Sequence, residues 1–179
     1  MNTSSDFPYS QEAEEAVIGS VLLDESVFAT LSQALDSDAF FLPRHQYIWE
    51  GFKRLADRRE PLDIITVSDE LKALGRFTDA GGDAYLTHLL TNIPTSFHVG
   101  VYGRIVEKNA IRRKLLRAAD EIKSLAMNAE MDLEQVVQSA EEKIFSVTEN
   151  QVKREFVSMN TAVNDYFDRI EFLMQNPHI

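Results

Sequence analysis

The sequence predicts an all-α chain: a compact helical head, a long antiparallel helical hairpin and a C-terminal amphipathic helix. Three observations predict it. Glycine (7) and proline (5) are scarce in 179 residues, which leaves few places to turn. Apolar residues recur at three-and-four spacing along most of the chain. No part of residues 1–97 keeps a two-residue alternation, so no sheet is expected there.

The head, residues 1–97, reads as five helices. Ser10 is placed to cap Gln11–Leu23, where Ala13, Ala16, Val17, Ser20 and Val21 share one side. Asp24–Leu35 follows, with Val27, Phe28, Leu31 and Leu35 together. Asp36-Ser37-Asp38 is a turn that leads into Phe40-Phe41. Arg44–Asp57 carries Tyr47, Ile48, Phe52 and Leu55 in one stripe. Pro61 breaks the chain, Asp63 can cap Ile65–Leu74, and Gly75 closes that helix. Gly81-Gly82 opens Asp83–Asn92, with Tyr85, Leu86, Leu89 and Leu90 inward, and Pro94 ends it.

Residues 98–149 are expected to form a hairpin. Phe97–Met127 holds no proline and carries the stripe Val101, Ile105, Ile111, Leu115, Ala119, Ile122 and Ala126. Met127–Asp132 is a polar connector, and Leu133–Val147 is the returning helix, with Leu133, Val136, Val137, Ala140, Ile144 and Val147. A short loop between two helices makes them antiparallel. Two helices cannot bury two apolar faces each, so Tyr102, Val106, Leu116 and Phe145, which lie off the stripe, are the expected self-association residues. Residues 150–179 open with a charged break, Gln151–Glu155. Asn160–Met174 is then amphipathic, with Val163, Tyr166, Phe167 and Ile170 on its apolar side. It reads either as a docking element or as a helix folded back on its own domain.

Composition excludes several classes. With no cysteine, disulfide scaffolds, thiolate zinc sites and cysteine nucleophiles are all removed. Met1–Ser10 lacks the pattern of a signal peptide, and no apolar run approaches the roughly 20 residues that span a bilayer. A cytoplasmic chain is expected. The net charge of −11 opposes binding of phosphate by the outer surface. Most of it, −9, lies in residues 1–97, while 98–149 and 150–179 carry −1 each.

A search for chemistry returns little. No G-x-x-x-x-G-K-[ST] and no H-E-x-x-H occurs, so no catalytic residue, cofactor site or metal site is expected in this chain. The histidines, His45, His88, His98 and His178, are scattered and read as surface or core-edge residues. Thr66–Leu74 with Asp83–Leu90 faintly resembles helix-turn-helix, but the second helix lacks side chains that read base edges. Lys108, Arg112, Arg113, Lys114 and Arg117 form the one positive cluster. Two readings of it stand: ion pairing with Glu134, Glu141 and Glu142, worth little per exposed pair, or a weakly positive lining that faces DNA.

Taken in order, several motifs resemble the N-terminal part of DnaB-type replicative helicases. They are Ser10-Gln11-Glu12-Ala13-Glu14-Glu15-Ala16-Val17-Ile18-Gly19-Ser20, Asp38-Ala39-Phe40-Phe41 with Arg44-His45-Gln46-Tyr47-Ile48, and Pro61-Leu62-Asp63-Ile64-Ile65-Thr66-Val67. Gly81-Gly82-Asp83-Ala84-Tyr85-Leu86 and Tyr102-Gly103-Arg104-Ile105-Val106 continue the series. Arg112-Arg113-Lys114-Leu115-Leu116-Arg117-Ala118-Ala119 and Ala140-Glu141-Glu142-Lys143-Ile144-Phe145 resemble the two hairpin helices.

The resemblance implies a ring-shaped hexamer that uses ATP and Mg²⁺ to unwind duplex DNA 5′ to 3′ through a RecA-like motor, which is expected to begin after Ile179. It implies N-terminal domains paired through hairpins as a trimer of dimers, forming a collar. That collar would admit single-stranded DNA, held weakly, and bind the C-terminal domain of primase. A helicase loader is a further implied partner. The last helix would dock on a neighbouring motor through Val163, Tyr166, Phe167 and Ile170. The alternative is a free-standing helical adapter that dimerises through its hairpin and has no motor.

Overall fold

The structure, a computed structural model, describes residues 7–91 and 99–147 and contains no strand among them. The all-α expectation holds. The chain divides into two compact units, with the boundary between Lys114 and Leu115.

In the first unit, α1 (Gln11–Leu23) starts where Ser10 Oγ accepts from the Ala13 amide at 3.2 Å, the expected cap. Asp24 accepts from the Ser26 amide at 3.0 Å in the turn ahead of α2 (Ser26–Ala34). The expected turn before Phe40 is a single 3-10 turn, Ser37–Ala39. α3 (Pro43–Asp57) begins on a proline, which suits a first turn whose amides have no helical partner. α4 (Ile64–Ala73) opens with a reciprocal capping box between Asp63 and Thr66. Gly81 and Gly82, at φ +95° and +63°, turn the chain into α5 (Gly82–Thr91). A Cβ on Gly81 would stand 2.6 Å from Tyr85 Cβ, so only glycine fits beneath that ring.

The core forms around α3, which packs on α1 and α4, while α5 closes over α1. Trp49 is fully buried. Its ring lies 4.9 Å from Phe40, 5.2 Å from Phe28 and 5.9 Å from Phe52, an aromatic cluster that fixes α2, α3 and the 3-10 turn together.

α6 (Val99–Ala126) supplies a further wall of this core. Its inward residues are Val106 and Ala110, with Tyr102 partly buried beside them. This corrects the expected stripe, because Val101, Ile105 and Leu115 are 43%, 37% and 45% exposed. The side of α6 that meets the head carries small residues instead. Gly103 comes so close to α2 that a Cβ there would lie 3.0 Å from Leu31 Cδ2. Counting large apolar residues points to the wrong face when close approach selects small ones.

The second unit holds the end of α6 and a helix over 133–147, here α7. Asp132 accepts from the Glu134 amide at 3.1 Å to start α7. Lys143 Nζ of α7 lies 2.6 Å from Glu121 Oε2 near the end of α6, a contact across the short connector between the two helices. No helix among the described residues is long and apolar enough to cross a membrane. Gln151–Glu155 and Asn160–Met174, including Val163, Tyr166, Phe167 and Ile170, lie outside the described residues.

Candidate interaction surfaces

Inside the head, the polar centre is Glu14, 1% exposed. Its carboxylate accepts from the Phe41 amide at 2.7 Å and the Leu42 amide at 3.3 Å, just ahead of α3. His45 Nδ1 lies 2.7 Å from Glu14 Oε2, and His45 Nε2 lies 2.6 Å from the Tyr85 hydroxyl. That hydroxyl also reaches Glu15 Oε1 at 3.1 Å. Burial, and next the nearby Glu15 charge, raise the Tyr85 phenol above its ordinary range. The expectation that His45 lies at the surface or core edge is therefore wrong: it is fully buried. A signal was present in the sequence, since Glu14 falls three and four residues before the core pair Val17 and Ile18. These bonds tie α1, α3 and α5 together.

The basic run on α6 is split by the fold. Arg113, for which ion pairing and a DNA-facing position were both open, is 3% exposed. Its guanidinium donates to the carbonyls of Pro8 at 2.8 Å and Ala39 at 2.6 Å and stands over the Phe41 ring, itself stacked on Tyr9. It strings the N-terminal segment to the start of α3. Lys114 pairs with Asp38 at 2.9 Å. Lys108 and Arg112 are exposed, as is Arg117 in the second unit. Within the second unit, Glu134, Glu141 and Glu142 make no ion pair with Arg117 among the described residues; the ion pair described there is Lys143 with Glu121. Arg104, absent from the expected set, is exposed on the same side as Lys108 and Arg112. Four-residue spacing was the available signal.

The four expected self-association residues also separate. Val106 is 2% exposed within the head core and is removed from that role, because the head itself covers it. Tyr102 packs partly against the same core. Leu116 and Phe145, in the second unit, are 44% and 63% exposed. They stand among other exposed apolar residues of that unit: Leu115, Met127, Leu133, Val137 and Ile144.

Comparison with known proteins places this geometry. The family model of the DnaB-like helicase N terminal domain matches residues 6–108. The replicative DNA helicase DnaB of Geobacillus stearothermophilus is 34% identical over 166 residues, 93% of this chain but 37% of that relative. The chain thus spans a little over a third of that relative's length. The crystal structure of the N-terminal domain of DnaB helicase from Mycobacterium tuberculosis superposes with a TM-score of 0.74 at 30% identity, over 78% of this chain and 99% of that one. A structure of a DnaB-like replicative helicase and its interactions with primase shares the fold, with a TM-score of 0.65 at 20% identity, over 83% of this chain and 35% of that one. With a family match across more than half its length and a solved N-terminal domain superposing almost end to end, the chain belongs to the DnaB-like helicase N-terminal domain family.

Proposed function

We propose that this chain is the collar-forming N-terminal part of a replicative DNA helicase. It pairs with copies of itself, as a dimer and then as a trimer of dimers in a hexamer, and presents a surface to the C-terminal domain of primase. Primase is supported by the structural neighbour described with its primase interactions. A helicase loader and a weakly held single strand of DNA are the other partners. ATP and Mg²⁺ act at a motor domain and not at this chain, whose sequence carries no P-loop. The protein works in the cytoplasm. Val163, Tyr166, Phe167 and Ile170 are the residues through which the C-terminal segment docks on a neighbouring motor.

The observation that carries the assembly reading is the second unit's surface. Seven large apolar residues there, Leu115, Leu116, Met127, Leu133, Val137, Ile144 and Phe145, are between 44% and 76% exposed. Isolated exposed leucines are ordinary; this many on the end of α6, its connector and α7 mark an interface. Sedimentation velocity tests it. The wild-type chain should run as a dimer or larger, and Leu116→Glu should run as a monomer with unchanged helicity. A wild-type monomer at high concentration would remove the assembly role.

A further inference from the structure

The side of α6 that faces away from the head core carries Arg104, Lys108 and Arg112 at successive four-residue steps, all exposed. Such steps stack along one face of a helix, about 6 Å apart. None of the three makes an ion pair with a described residue. Glu107, the one acid between residues 99 and 114, is half-buried off this line. In a chain of net charge −11, where many surface cations sit beside a carboxylate, a line of three unpaired ones is a local reversal of sign. The two basic residues that the head uses for itself, Arg113 and Lys114, are turned inward or paired.

We propose that Arg104, Lys108 and Arg112 form a phosphate track for single-stranded nucleic acid. The proposal rests on the collar reading above and names the residues through which the collar would touch the strand. Cations one helical turn apart can meet successive phosphates of an extended strand. Among the described residues, the exposed part of this side holds Val101 and Ile105 and no aromatic ring on which a base could stack. The track therefore reads the backbone and not the bases, and its binding is indifferent to sequence. An acidic protein segment is the competing occupant, and it lacks the regular charge repeat to which three evenly spaced cations are matched.

The test measures binding of fluorescent oligothymidine to the whole chain by anisotropy across a salt series. Three phosphate contacts on a single strand give a salt slope of about −2, so a four-fold rise in salt should weaken binding about twenty-fold. Each of R104A, K108A and R112A should lower the slope by about 0.7. The triple variant should lose binding by about ten-fold or more at low salt, with helicity and sedimentation unchanged. Arg54→Ala, which removes an exposed cation paired with Glu50, should behave as wild type. Oligothymidine binding that survives in the triple variant, or is absent in the wild type at low salt, overturns the proposal. So does equal, track-dependent binding of poly-glutamate, which would assign the face to an acidic protein. A triple variant that changes mass would assign it to a second copy and overturn the proposal as well. A wild-type monomer with track-dependent binding would sink the assembly reading alone, and a dimer without such binding would sink the track alone.

Discussion

An ion at the inward register of a helix costs several kcal/mol unless partners replace its water. Glu14 has those partners: two backbone amides ahead of α3 and the imidazole of His45. Removing the carboxylate takes the acceptor from two part-buried amides and from Nδ1 of the buried His45. Glu14→Ala should therefore cost about 3–5 kcal/mol of head stability, and Glu14→Gln, which keeps one acceptor oxygen, should cost less. Urea unfolding followed through the single tryptophan, Trp49, reads both, and a loss below about 1 kcal/mol for the alanine variant would show that the cluster is dispensable. Arg59 makes the opposite case. It sits at φ +58° just past α3, where Glu60 donates back to the Leu55 carbonyl at 2.9 Å. Glycine is the usual residue of that left-handed cap. Arg59→Gly should stabilise the head by about 0.5–1 kcal/mol, the relief of the Cβ clash exceeding the entropy that glycine adds to the unfolded chain. A shift of the urea midpoint to lower concentration would refute this.

At the scale of an element, helix starts answer to single side chains. Asp63 accepts from the Ile65 and Thr66 amides, both at 2.9 Å, and Asp63→Ala should cost about 1 kcal/mol. The Thr66 amide above all holds the Asp63 carboxyl below its ordinary range. Asp36 is held low chiefly by its hydrogen bond from Lys53 at 2.8 Å. For a carboxylate whose folded value is depressed, the stabilisation is present above the unfolded value, near 4, and is lost as pH falls through the folded one. Stability measured from pH 6 to pH 2 should therefore decline below about pH 4, and less steeply in Asp63→Ala. Packing between elements is as local. Gly103 lets α6 lie against Leu31 of α2, so Gly103→Val should cost about 1–3 kcal/mol by overpacking; an unchanged midpoint would mean that α6 shifts freely on the head.

For the molecule as a whole, the head's −9 and the exposed apolar surface of the second unit divide the work. An acidic surface opposes contact with phosphate, and the proposed pairing of two copies rests on the exposed apolar residues of the hairpin. A glutamate at position 116 would bring an uncompensated charge into that pairing surface at a cost of several kcal/mol, enough to dissociate a moderate dimer. The purified chain should also show no DNA-stimulated ATP hydrolysis; turnover above a mock preparation would contradict the assignment of ATP to a separate motor.

The order, type and approximate limits of the helices were legible in the sequence because caps and periodicity act within a few residues. Ser10, Asp63 and Gly81-Gly82 each do their work within a turn of where they stand. The family was legible for a related reason: an ordered set of local motifs survives without knowledge of what packs on what. The partners of charged residues were not legible. Arg113 belongs with the carbonyls of Pro8 and Ala39, Lys114 with Asp38, and Glu14 with His45, at separations of 31 to 105 residues. Only the folded chain brings such groups together. The tertiary structure also decided which side of α6 is inside. A helix buries the side that lets it approach its neighbour, and on α6 that side is marked by Gly103, Val106 and Ala110 rather than by its largest apolar residues. Once that side is turned to the head, the opposite side must face solvent, and Arg104, Lys108 and Arg112 come into line on it.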